Sequence, residues 1–166
     1  MSREFYEVYR KSLEDPVGFW EREAARLYWR EKWARAYDDS NPPFYRWFVG
    51  GRTNIAYNAL DVHVKSGRGN KAALIWTTPY GEPRILRYRD LYREVNRLSI
   101  LLRSLGVGKG DRVAIYMPMI PEAMAAMLAV NRVGAVHSVV FSGFGAQALA
   151  ERIKDAGAKL VITADG

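Results

Sequence analysis

The chain has 166 residues, 49% of them hydrophobic, which is enough for one domain with its own core and argues against disorder. It contains no cysteine and two histidines, His63 and His137, so disulfides, thiolate zinc sites and a thiol nucleophile are excluded and a histidine-built metal site is not expected. Lys and Arg number 25 against 18 Asp and Glu, a net charge of +7 that can attract nucleic acid, anionic lipid or a phosphorylated ligand, or can simply be a solvated surface.

The first twenty residues, MSREFYEVYRKSLEDPVGFW, are charged throughout and carry no apolar run of the kind a secretory signal needs. No stretch approaches the ~20 uncharged residues of a transmembrane helix, and the expectation is a cytoplasmic protein that makes no membrane contact. Residues 1 to about 43 read as helical and aromatic-rich. Asp15 before Pro16 forms a cap followed by a first-turn proline. Phe19, Trp20, Leu27 and Tyr28 recur near helical spacing. Asn41-Pro42-Pro43 ends this region, which reads as an arm or lid and not as a self-contained core.

In FYRWFVGGRTNIAYNALDVHVKSG, Gly50-Gly51 marks a turn. Either a ligand comes close there or the turn sits under aromatic core residues. Asn54 is a candidate cap, Tyr57, Leu60 and Val64 share a helix face, and Gly67 stops it. KAALIWTTPYGEPRILRY reads as two strands joined by a turn at Pro79-Tyr80-Gly81. A long amphipathic helix follows, with Leu91, Val95, Leu98, Leu102 and Leu105 on one face and Gly106 as the stop. Arg89, Arg93 and Arg97 form an i, i+4, i+8 stripe on the same helix. No aromatic platform accompanies that stripe, so a solvated face is expected and no nucleic-acid partner.

After Gly106 the pattern becomes regular. RVAIYM is a strand, and PEAMAAMLAVNRVG is a helix opened by Pro121 and closed by Gly134. AVHSVVF is a strand, QALAERIKDAG a helix closed by Gly157, and KLVITA a strand. Such alternation implies parallel strands joined by right-handed crossovers, hence an α/β fold. Ligands of such sheets sit beyond the carboxyl ends of the strands. Two loops fall there, Met117–Pro121 and Ser142–Gly145, and a third would begin at Asp165-Gly166. KLVITA has no helix after it to cover it, so the chain is expected to be the amino-terminal piece of a larger protein.

One of those loops also fits a motif. Gly143-Phe144-Gly145-Ala146-Gln147-Ala148 has the form Gly-x-Gly-x-x-Ala between a strand and a helix, with Asp165 about 20 residues on, which satisfies the dinucleotide-binding fingerprint. Against a dinucleotide site, a complete strand–helix unit precedes it and Phe144 puts a large ring between the glycines. Three readings stand: a plain turn with Gly143 or Gly145 at positive φ, an NAD or FAD site, or a site for another ligand.

The segment WFVGGRTNIAYNALDVHV resembles the entry region of AMP-forming acetyl-CoA and propionyl-CoA synthetases. Trp47, Phe48, Gly50, Gly51, Asn54, Tyr57, Asn58, Asp61 and His63 fill the family's Trp-Phe-x-Gly-Gly, Asn, Tyr-Asn and Asp-x-His positions. GDRVAIYMPMIPEAMAAMLAVNRVGAVHSVVFSGFGAQALAERIKDAGAKLVIT resembles the same family equally closely. The resemblance implies a large amino-terminal domain whose mixed, largely parallel sheet begins here, with residues 1–66 as the helical, aromatic arm of acetyl-CoA synthetases. Residues 67–166 would then be the incomplete start of the AMP-binding domain. It also implies an acid–thiol ligase that joins a carboxylate such as acetate or propionate to AMP from ATP with Mg²⁺, then passes the acyl group to coenzyme A.

In relatives the loop matching Phe141-Ser142-Gly143 lies near coenzyme A. Relatives commonly have Gly or Ala at the place of Ser142 and Ser at that of Gly145. The family's phosphate loop, adenylate motifs, hinge and catalytic lysine have no counterpart in these residues. No catalytic or metal-binding residue is therefore assigned, and the ATP and Mg²⁺ sites are expected outside the segment. The alternatives are a non-catalytic truncated relative or binding module that needs a partner chain, or an oxidoreductase fragment that binds a dinucleotide.

Overall fold

The computed structural model describes residues 3–78 and 81–165. They fall into two compact units that part between Thr53 and Asn54. Pro79 and Tyr80 of the expected turn, and Gly166 of the third loop, lie outside the described residues.

The first unit opens with α1 (Arg3–Glu14) and α2 (Pro16–Ala24). Asp15 caps α2 by accepting a hydrogen bond from the Gly18 amide at 2.9 Å, with Pro16 in the first turn, as the sequence leads one to expect. The helical reading then fails. Residues 25–34 are irregular, and β1 (Arg35–Asp38) pairs antiparallel with β2 (Arg46–Val49). Leu27 and Tyr28 lie beyond the end of α2 and are exposed. The unit also has a small core of its own: Ala24, Trp33 and Ala36 are buried, with Val17, Trp29 and Phe48 packed on them. The rings of Trp29, Trp33 and Phe48 lie 4.8–5.5 Å apart, in the range where aromatic pairs add to area burial.

The Gly50-Gly51 turn belongs to this cluster. A Cβ on Gly51 would come within 2.6 Å of the Trp29 ring and 3.0 Å of the Phe48 carbonyl. Of the two readings of this pair, the turn beneath aromatic rings is the one present. Asp38 sits under the hairpin, held by Arg46 at 2.6 Å, Arg35 at 3.0 Å and the Ser40 amide at 3.2 Å. Its carboxyl is lowered from 3.8 to about 2, first by hydrogen bonds from the Ser40 side chain and backbone and then by Arg46.

The second unit begins with a π-helical stretch, Tyr57–Asp61, that runs into α3 (Val62–Lys65). The Asn54 carboxamide accepts from the Tyr57 amide at 3.1 Å, and Gly67 ends the segment at φ +82°. β3 (Ala72–Trp76) and β4 (Arg84–Arg87) pair antiparallel. Next come α4 (Tyr88–Ser104), β5 (Arg112–Met117), α5 (Pro121–Arg132), β6 (Val136–Phe141), α6 (Ala146–Ala156) and β7 (Leu160–Thr163).

β5 is the middle strand of a parallel sheet ordered β6-β5-β7. The right-handed rule for such crossovers puts α5 and α6 on opposite sheet faces, because the second crossover runs back over the first. The expected α/β class, with a helical start followed by parallel strands, is therefore what the chain adopts. No helix among the described residues is long and apolar enough to cross a membrane.

The core of this unit joins α4, α5 and the sheet through Leu60, Leu91, Val95, Leu102, Val113, Ala129 and Val130. Each large side chain among them contributes about 1.5–3 kcal/mol on burial. Leu105, expected on the same helix face, is exposed because α4 ends at Ser104 and the chain turns at Gly106. Arg89, Arg93 and Arg97 are all exposed, as a solvated stripe would be.

Two polar links fix the segment from Asn54 to His63 within this unit. Asp61 accepts from both terminal nitrogens of Arg132, at 2.6 and 3.3 Å, and the Asn54 carboxamide donates to the Asn131 carbonyl at 2.8 Å. His63 packs its ring 4.8 Å from that of Tyr88. Burial first, and then the charge of Arg68, lower its pKa. Asn54 and Asp61 thus tie this segment to α5, and His63 packs it on Tyr88 of α4.

Candidate functional site

The parallel register aligns Met117 with Phe141, so the loops after β5 and β6 leave the sheet side by side at its carboxyl edge. These are the two loops singled out in the sequence. The first is held by the Trp76 indole, which donates to the Met119 carbonyl at 2.7 Å, and by the Ile120 amide, which donates to Pro118 O at 2.8 Å. The side chain of Met119 itself stands free, 86% exposed.

The second loop begins at Phe141, 66% exposed, and Phe141, Ser142 and Gly143 follow one another along the open edge. The Phe144 amide donates to Phe141 O at 3.0 Å and closes a tight turn. The two phenyl rings meet edge-to-face, with centroids 6.1 Å apart and planes at 89°. The Arg152 guanidinium, one and a half turns along α6, lies 4.4 Å from the Phe144 centroid and holds that ring by a cation–π contact. From the sheet side, the Tyr116 hydroxyl reaches both the Ser142 carbonyl at 2.9 Å and the Phe144 carbonyl at 2.8 Å.

The glycines differ from expectation. Neither Gly143 nor Gly145 has a positive φ, so the left-handed turn is absent. Gly145 is extended, at φ −71° and ψ 165°, and a Cβ there would meet nothing within 4 Å. Gly143 is small for a different reason: a Cβ would fall 2.5 Å from the edge of the Phe141 ring. The spacing also arises after the second parallel-sheet strand in chain order, not the first.

A cleft of about 260 Å³ opens beside the first loop, walled by Leu86, Leu98, Met117, Pro121 and Ile162. At its rim Arg84 donates to Glu122 at 2.7 Å. Burial pushes the Glu122 carboxyl up, but hydrogen bonds from Arg84 and from the backbone, with the Arg84 charge, outweigh it and hold it below its usual range. Among the described residues no group of three or more His, Cys, Asp or Glu is placed to hold a metal ion. The edge offers aromatic faces, backbone groups and a paired cation. Such groups are of the kind that orient a ligand and not of the kind that move a proton.

The sequence pattern singled out the loop Ser142–Gly145 by its position after a strand, and the family resemblance added Phe141, Ser142 and Gly143 as candidates; the structure sets all three at the carboxyl edge of the sheet. Tyr116 and Arg152 were not singled out. The only signal for Tyr116 is a polar tip near the carboxyl end of an otherwise apolar strand.

Two family comparisons match, and they divide the chain between them. Residues 61–166 match the family described as AMP-binding enzyme, and residues 5–59 match the acetyl-coenzyme A synthetase N-terminus. The chain belongs to the AMP-binding enzyme family. Among its relatives are a 3-hydroxypropionyl-coenzyme A synthetase of Sulfurisphaera tokodaii, 54% identical over 95% of this chain, and an acetyl-coenzyme A synthetase of Streptomyces avermitilis, 52% identical over 96%. An acetyl-coenzyme A synthetase of Pyrobaculum aerophilum is 50% identical over 98% of the chain. The chain spans about a quarter of the length of these relatives, 24%, 24% and 25% respectively.

Proposed function

We propose that this chain is the amino-terminal part of an AMP-forming ligase that activates a short carboxylate with ATP and transfers the acyl group to coenzyme A. Within that reading, residues 1–66 are the arm and residues 67–166 begin the AMP-binding domain. Phe141, Ser142 and Gly143 line the approach of coenzyme A. The observation that carries the site is the loop at the carboxyl edge of a parallel sheet, with an exposed aromatic face, in a chain of the AMP-binding family. The names of the relatives favour an acid of two or three carbons, such as acetate or propionate. A cytoplasmic setting, where ATP and coenzyme A are at hand, suits such chemistry.

The residues present suit a nucleotide-bearing thiol carrier better than a metal. Phe141 offers a flat face for a heteroaromatic ring, and the backbone at Ser142 and Gly143 carries no bulky side chain. No acid cluster for Mg²⁺ is placed here among the described residues, so the reading puts the triphosphate and its Mg²⁺ on other residues of the ligase.

The experiment separates the half-reactions. The chain alone is expected to show no acetate-dependent exchange of pyrophosphate into ATP, and a ligase that contains it is expected to show that exchange. In that ligase Gly143→Val raises the KM for coenzyme A and leaves the exchange reaction intact. The added Cβ both closes the backbone approach and drives the Phe141 ring from its place. Equal loss in both half-reactions would make the loop a fold element and remove coenzyme A from this edge.

A further inference from the structure

The second loop has few holds of its own. Within it a single backbone hydrogen bond closes, from the Phe144 amide to Phe141 O, and Gly145, the residue before α6, supplies no side-chain cap. Ser142 and Phe144 each present a carbonyl towards the sheet. A single side chain meets both of them: the Tyr116 hydroxyl, at 2.9 and 2.8 Å.

We propose that Tyr116 is a positioning residue for the coenzyme A step, its hydroxyl clamping the Ser142 and Phe144 carbonyls so that Phe141, Ser142 and Gly143 keep the shape that receives the ligand. This rests on the coenzyme A reading of the loop given above. A phenol has one proton, so it is shared between two acceptors and draws them together, fixing the chain on both sides of Gly143. Tyr116 pairs in register with Val140, which sets its ring beside the last turn of strand before the loop. The clamp is therefore anchored on the middle strand of the sheet, the most constrained backbone near the site. Arg152 on Phe144 holds the far end of the loop from α6. Tyr116 itself lies beneath the loop and acts on the ligand only through it.

The test is Tyr116→Phe, which removes the hydroxyl and keeps the ring. Two measurements read it. Amide hydrogen exchange over residues 141–149 should quicken by about three- to tenfold, the effect of one net hydrogen bond, while exchange in β5 stays unchanged. In the ligase that contains the chain, the KM for coenzyme A should rise by a similar factor, with kcat and the acetate-dependent pyrophosphate exchange unchanged.

Unchanged exchange over 141–149 overturns the clamp whatever the ligand is. Loss of β5 protection along with the loop makes Tyr116 a fold residue and overturns it equally. Phe141→Ala is measured beside it to separate this proposal from the reading on which it rests. If Phe141→Ala raises the KM for coenzyme A and Tyr116→Phe does not, the positioning role alone is wrong. If neither variant moves that KM, the loop does not receive coenzyme A and both ideas fall.

Discussion

Among the described residues of the second unit, Asp61 and Arg132 form the ion pair most removed from water, with side chains 8% and 20% exposed. Asp61→Ala would leave the guanidinium without its two terminal contacts at 2.6 and 3.3 Å, and its Nε is already buried without a partner. The Tyr92 ring, 5.3 Å away, would be its remaining favourable neighbour. Breaking a buried pair from one side costs about 3–5 kcal/mol. Arg132 keeps some solvent contact, so the lower end, about 3 kcal/mol, is the expected loss. With a urea slope of roughly 2 kcal/mol/M, that lowers the unfolding midpoint by about 1.5 M. Circular dichroism at 222 nm follows the transition, and hydrogen exchange of α5 amides assigns it to the second unit. Arg132→Leu in the same chain should restore all but about 1 kcal/mol, since the stranded charge is then gone. A midpoint shift below about 0.3 M in the single variant, or a double variant no better than the single one, would refute the view that burial makes this pair critical.

Three more outcomes follow from the structure. Asp38, held at about 2 against 3.8, supplies stability above pH 4 that is lost as pH falls towards 2. Asp38→Asn should lower the stability of the first unit at neutral pH and flatten the acid limb of its tryptophan-fluorescence titration. His63, whose pKa burial lowers below 6.5, resists protonation only when folded, so the second unit should lose stability as pH falls through and below 6.5. His63→Gln should remove that slope in urea melts between pH 7 and pH 5. Gly51→Ala, with its Cβ 2.6 Å from the Trp29 ring, should cost about 1–3 kcal/mol in urea unfolding followed by tryptophan emission, and an unaltered midpoint would show that the ring moves freely aside.

The second unit was more legible than the first because its punctuation is chemical. Gly67, Gly106, Gly134 and Gly157 all take positive φ at the ends of helices or turns, and each was read as a stop. Six-residue strands rich in apolar residues, RVAIYM in β5 and VHSVVF in β6, leave little choice when helices cover them. The hairpin of the first unit gave no such signal. Its strands have four residues each, β1 reads Arg-Ala-Tyr-Asp, and the contacts that order it run between rings far apart in sequence, such as Trp29 and Phe48. Phe19 and Trp20 do lie on a helix, but the same spacing carried on to Leu27 and Tyr28 continued past the true end at Ala24. Topology read from the sequence put the Ser142–Gly145 loop at the carboxyl edge of the sheet, where it lies. The groups that hold it were hidden, because a tyrosine inside an apolar strand reads as core until its hydroxyl is seen to leave the sheet.

The Gly-x-Gly-x-x-Ala spacing shows how one pattern can come from separate local demands. A dinucleotide fingerprint asks the first glycine for a tight turn, the second for close backbone approach to a pyrophosphate, and the third for helix packing. Here the first position, Gly143, is small because the ring of Phe141, two residues back, occupies the space of its Cβ. The second position, Gly145, takes a conformation open to any residue and meets no neighbour. Neither glycine is used as the fingerprint would use it, and the intervening Phe144 is held by Arg152 on its ring and by Tyr116 on its carbonyl. The glycine that matters at this edge is therefore Gly143, through the ring it admits. Replacing Gly145 with serine should leave both the loop and its ligand untouched, whereas any side chain at Gly143 has to move Phe141 first.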